Sequence, residues 1–131
     1  MRLFDHIDLR VRDGATAKKF YRALLPAIGF TENAGDDDEW WFTAPGEGTQ
    51  PFFGFIVDPQ HRPNENRNAF WAESRAAVDR IAAIAREAGA LRIEGPQIWP
   101  EYSAGYYALF FEDPEGNRLE VCCRGSLPVA K

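Results

Sequence analysis

Asp113-Pro114-Glu115-Gly116-Asn117-Arg118-Leu119-Glu120-Val121 reads as a tight turn that feeds a strand. Pro114 presets φ at one turn position, and Gly116 or Asn117 supplies a positive φ. Beyond the turn the residues alternate. Leu119, Val121 and Cys123 point one way, and Arg118, Glu120 and Cys122 point the other. Glu120 is thus a carboxylate in the middle of an otherwise apolar strand. Burying its charge is costly unless it is paired, metal-bound or solvated. What Glu120 faces is the question the rest of the chain must answer.

Outward from this turn, the same pattern of elements occurs twice. Leu3 to Val11 alternates, with Ile7, Leu9 and Val11 on one face and His6, Asp8 and Arg10 on the other. Asp13 caps a helix whose apolar face is Ala17, Phe20, Tyr21, Leu24 and Ile28. Pro26 is expected to end or bend that helix, and Gly29 to close it. Strands are expected at Phe30 to Glu32, Glu39 to Thr43 and Phe52 to Val57. After a polar linker the pattern restarts. Arg67 to Ala72 is a strand, Ser74 a cap, and Val78, Ile81, Ala82 and Ala85 a helix face stopped by Gly89. Leu91 to Ile93, Tyr106 to Phe111 and Arg118 to Cys123 complete the strands, with Glu94 to Gly105 as a long loop.

At an offset of 61 residues, Asp13 aligns with Ser74, Leu9 with Phe70 and His6 with Arg67. Each half reads β-α-β-β-β. The expected fold is α+β: two paired βαβββ modules forming a curved mixed sheet around a cleft, with helices on the outer face. Module 1 covers about 3–57, the linker 58–66 and module 2 about 67–124. A short C-terminal tail follows, and the whole 1–131 is one domain. His6, Arg67 and Glu120 would all project toward the cleft.

Bulk properties narrow the function. The chain is 45% hydrophobic and 14% aromatic, which suits a packed core. A net charge of -5 argues against a nucleic-acid partner. No apolar run reaches the ~18 residues a membrane span needs, and the opening residues lack the apolar core of a signal peptide. Cys122 and Cys123 are neighbours on opposite strand faces, a geometry that suits two reduced thiols. A cytoplasmic location is the expectation.

Four features resemble the vicinal-oxygen-chelate superfamily of glyoxalases, bleomycin-resistance proteins and extradiol dioxygenases. They are His6 in the opening strand, the Phe20-Tyr21 helix ending at Gly29-Phe30, the segment Pro100-Glu101-Tyr102-x-x-Gly105-Tyr106-Tyr107, and Asp113 to Glu120. The resemblance covers roughly residues 3 to 124. It implies a small-molecule ligand, a homodimer, and a divalent metal (zinc, iron, manganese or nickel) bound by His6 and Glu120. The family's second-module histidine position holds Arg67, in Arg67-Asn68-Ala69-Phe70, and Phe52 to Val57 offers no His, Asp or Glu.

Two functions therefore stand open. In the first, a metal on His6 and Glu120 acts as a Lewis acid and Glu120 moves the proton, giving glyoxalase-type isomerase or lyase chemistry. In the second, the protein binds a small molecule without catalysis, in the manner of the bleomycin-resistance branch. Arg67, which cannot ligate a cation, then pairs with Glu120 in place of the metal or grips an anionic ligand. Trp71 and Tyr106 are candidate pocket walls, and Tyr102 sits in a loop that could close over the ligand.

Overall fold

The computed structural model describes residues 3–124. The expected C-terminal tail lies outside the described residues. The chain divides into two compact units, Met1–Arg62 and Pro63–Lys131. The division falls inside the 58–66 linker.

The first unit contains β1 (His6–Val11), α1 (Gly14–Ile28), β2 (Glu32–Gly35), β3 (Glu39–Thr43) and β4 (Phe52–Val57). Its strand order is β1-β4-β3-β2, parallel between β1 and β4 and antiparallel elsewhere. α1 starts where the Asp13 carboxylate accepts the Ala15 and Thr16 amides. It buries Ala17, Phe20, Tyr21, Leu24 and Leu25, each large apolar side chain contributing about 1.5–3 kcal/mol. The Tyr21 ring meets Phe53 and Phe55 of β4 at 6.0 and 6.1 Å.

Pro26 does not end this helix, which runs on to Ile28. The fully buried Leu24 and Leu25 hold the last turn down. The Leu25 carbonyl accepts both Gly29 and Phe30 amides, which closes the helix beyond the proline.

The second unit repeats the plan with β5 (Arg67–Trp71), α2 (Arg75–Ala88), β6 (Leu91–Ile98), β7 (Tyr107–Glu112) and β8 (Arg118–Cys123). The order is β5-β8-β7-β6, again with the first and last strands parallel. Ser74 caps α2 through the Ala77 amide, so the Asp13–Ser74 correspondence is a shared structural position. The class is α+β: two four-stranded mixed sheets, each with one helix.

β6 extends well past Ile93 into the stretch expected as loop. Gly95 and Pro96 are tolerated because β6 pairs on one side only and its register shifts twice against β7. Gly95 is at φ 90°, and a Cβ there would sit 2.6 Å from the Ala108 carbonyl oxygen, so the close strand approach requires glycine.

Candidate functional site

The Asp113 turn sets the register of the second sheet. The Asp113 carboxylate, 1% exposed, accepts the amides of Glu115 (2.9 Å) and Asn117 (3.0 Å) and the Asn117 side-chain amide (2.9 Å). Gly116 takes φ 98°. β8 then returns along β7 with Phe110 opposite Glu120 and Ala108 opposite Cys122. Alternation does the rest. Phe70, Leu119, Val121, Leu109 and Phe111 are buried on the side that packs against α2.

The other side of this sheet carries the polar chemistry. Glu120 is 6% exposed and accepts a hydrogen bond from the Tyr106 hydroxyl. Around it Tyr106, Ala108, Phe110 and Cys122 form a small buried cluster with Trp99 packed against it. The Trp99 indole donates to the Ala108 carbonyl (2.9 Å) and meets Phe110 edge-on at 5.0 Å. Tyr102, mostly exposed, places its ring 5.6 Å from Tyr106 and 6.0 Å from Phe110.

Two guanidiniums flank the carboxylate. Arg67 lies over the Phe110 ring at 4.8 Å and Arg124 over the Tyr106 ring at 4.6 Å. Glu120 has its pKa raised by burial, against the downward pull of Arg67 and Arg124. Its hydrogen bond comes from Tyr106, and Arg67 acts on it through charge from its seat over Phe110. Trp71 is 69% exposed, and Arg124 lies 5.9 Å from its ring. Burial, followed by the Glu120 charge, pushes the Cys122 thiol up, so it stays protonated. Both cysteines are free and buried, as their spacing suggests.

Arg67, Tyr102, Tyr106, Trp71 and Glu120 therefore share one neighbourhood in the second unit. Arg124 and Phe110 belong to it too, although the sequence reading did not single them out. The signal for Arg124 was available, since the alternation of Arg118, Glu120 and Cys122 continues to residue 124. Tyr107, next in sequence to Tyr106, turns to the helix side and donates to Asp79 of α2 at 2.6 Å.

His6 belongs to the first unit. Its Nδ1 meets Asp5 at 2.7 Å, its Nε2 lies 3.4 Å from Asp8, and its ring stacks on Phe52 at 4.5 Å. The Asp5 hydrogen bond, helped by the charges of Asp8 and Asp5, raises the imidazole pKa. Both nitrogens thus face carboxylates, which favours imidazolium, whereas a metal ligand must be neutral imidazole.

The donor sets can be tested against a divalent metal. Glu120 accepts a hydrogen bond from the Tyr106 hydroxyl and sits in the field of two arginines, which repel a cation. Among the described residues no group of three or more His, Cys, Asp or Glu converges to hold a metal. Within each unit the described residues do not fit a resident divalent ion.

The duplicated βαβββ plan and a carboxylate on the last strand define the class. A sequence model of the Glyoxalase/Bleomycin resistance protein/Dioxygenase superfamily matches residues 3–121, and the chain belongs to that superfamily. Among solved structures it is similar to a glyoxalase/bleomycin resistance protein from Albidiferax ferrireducens (24% identity, TM-score 0.78, covering 95% of this chain and 100% of that one). It is also similar to the fosfomycin resistance protein FosX from Listeria monocytogenes (18%, TM-score 0.69, 97% and 96%). Another structure of that FosX, complexed with Mn(II) and sulfate ion, matches at 18% identity and TM-score 0.68, over 97% and 93%. At these identities the likeness shows the fold. No curated protein matches the chain significantly. No helix among the described residues is long and apolar enough to cross a membrane.

Proposed function

We propose that this chain is a small-molecule-binding member of its superfamily, and that the Glu120 face of the second sheet is its recognition wall. The observation that carries the reading is the buried Tyr106–Glu120 hydrogen bond, set among aromatic rings and flanked by Arg67 and Arg124. A few convergent polar groups in an aromatic setting suit a compact, partly apolar ligand. Tyr102, which packs against Phe110, offers a ring face to its body. Glu120 and Tyr106 fix its orientation by hydrogen bonds, and the exposed rings of Tyr102 and Trp71 close around it. Saturation-transfer NMR with a panel of neutral aromatic fragments tests this. Fragments should perturb the Tyr102 and Phe110 resonances, and Tyr102→Ala should weaken them about fivefold, the effect of losing one ring contact. Fragment binding that leaves those resonances unmoved overturns the reading.

The raised pKa of Glu120 favours a second reading, in which the same carboxyl serves as a general acid or base for isomerase or lyase chemistry. Its mark would be turnover lost in Glu120→Gln while ligand affinity persists. The superfamily's divalent metal, with His6 and Glu120 as ligands, has no support from the donor chemistry described above, and no step is assigned to it. The homodimer remains part of the proposal, and light scattering of the purified chain tests it.

A further inference from the structure

We propose that a hollow beside the Phe110 ring is an oxyanion subsite that takes the carboxylate or phosphate group of a small organic ligand. The hollow has a volume of about 250 Å³ and is lined by Arg67, Arg92, Arg118, Glu94, Glu112 and Phe110, among others. That is room for roughly eight waters at ~30 Å³ each, enough for a hydrated anionic group. The proposal names the charged group of the ligand, and only the ligand's body rests on the binding reading above.

The charges set the preference. Arg92 is paired with Glu112 at 3.2 Å. Among the described residues neither Arg67 nor Arg118 has an ion-pair partner within 4 Å, and the same holds for Glu94. The lining itself carries three guanidiniums against two carboxylates, and Arg67 also lends its charge to Glu120 next door, so Arg118 is the cation most open to an added anion. Guanidinium forks match carboxylate and phosphate oxygens in pairs. The backbone contributes as well. Arg92 is the sole non-glycine residue at positive φ among those described, at 48°, and it lies where β6 shifts register against β7. A bulge of this kind re-aims a side chain, and the strain it stores commonly marks a binding position. Here it puts the Arg92 guanidinium on Glu112, which leaves Arg67 and Arg118 without an ion-pair partner within 4 Å among the described residues. Arg92, Glu112 and Arg118 also line a neighbouring hollow of about 670 Å³ beside Pro63 and Asn64, so a ligand anchored by its anion has space to extend.

Calorimetric and heteronuclear NMR titrations of the full chain at low ionic strength, with inorganic phosphate and separately with benzoate, test the subsite. At least one probe should bind, shift the amides around Arg67, Phe110 and Arg118, and weaken as salt is added. Arg118→Met should weaken that probe about tenfold, the loss of one charge-assisted contact. Glu94→Gln should tighten it about threefold by removing the opposing charge. Preference for phosphate or benzoate then assigns the group. No binding of either probe, an Arg118→Met affinity equal to wild type, or weaker binding in Glu94→Gln overturns the proposal. Any of these with fragment binding at Tyr102 intact leaves the binding reading standing and removes only the anion subsite.

Discussion

Glu120→Gln separates the two opposed influences on the buried carboxyl. Burial raises its pKa, and the Arg67 and Arg124 charges pull it down by less. Glutamine has nearly the same shape and keeps a carbonyl oxygen for the Tyr106 hydroxyl. With the residue only 6% exposed, bulk water screens little of either effect. The folded state, with the higher pKa, holds the proton more tightly than the unfolded chain. The stability contributed by this group is therefore complete below the unfolded value and is lost as pH rises through the folded one. Above the folded value the wild type carries a buried, ionised carboxylate, which destabilises the fold relative to the unfolded chain. The glutamine variant should be more stable than wild type at about pH 7.5, by on the order of 1 kcal/mol, the low end of the penalty for an incompletely satisfied buried polar group, or roughly 4 °C in Tm for a chain of this size. The difference should close as pH falls below the unfolded glutamate range, where both side chains become neutral. Urea unfolding of the two proteins across that range gives the difference directly. A variant less stable than wild type at neutral pH, with the gap shrinking on acidification, would refute the reasoning. It would mean that the arginines outweigh burial and hold the carboxylate ionised.

The His6 imidazole should titrate above the ordinary histidine range because Asp5 holds it. Its pairing is present at low pH and lost as pH rises through the raised value, and NMR titration of Asp5→Asn should show the pKa falling back. Protein purified without chelators should hold well under one equivalent of zinc, iron, manganese or nickel by plasma mass spectrometry, whereas near-stoichiometric metal would contradict the donor-set argument. Asp113→Ala removes the acceptor of three turn hydrogen bonds and should cost about 3 kcal/mol in thermal unfolding, since the buried donors it leaves lose their partner.

The fold was legible because the same signals occur twice. Asp13 and Ser74 both cap helices, Gly29 and Gly89 both end them, and the strand periods between are clean. β3, β4 and β8 match the expected bounds. Two misreadings fall at Gly and Pro, and β2, expected at Phe30 to Glu32, runs instead over Glu32–Gly35. Pro26 lies in a helix anchored by Leu24 and Leu25, and Gly95-Pro96 lies in an edge strand. In both places tertiary packing overrides a local breaker. The site was half legible. Strand alternation placed Glu120 and Arg67 on one face and separated Tyr106 from Tyr107. It could not show that Glu120 bonds to Tyr106, because that contact depends on how a loop returns at Tyr102 to Gly105. Nor could it show Arg92, whose direction comes from a bulge with no sequence period.

The histidine and the arginine at equivalent places in the two modules explain why one frame carries two chemistries. His6 sits opposite Phe52 in a parallel pair, and Arg67 opposite Arg118 in the matching pair. The backbone offers both positions the same exit from the sheet, so the side chain alone decides what can bind there. A guanidinium brings positive charge beside Glu120 but no lone pair to share with a cation. A carboxyl beside fixed positive charge is held partly toward ionisation, and burial pushes it back toward the neutral acid. That opposition leaves Glu120 able to accept from a ligand's donor when ionised and to donate to its oxygen when protonated. A metal ligand has only the first capacity. On this argument, replacing Arg67 by histidine would supply a nitrogen donor and remove a permanent charge at once. Metal affinity should then rise and anion affinity fall together, and a change in one without the other would break the link between them.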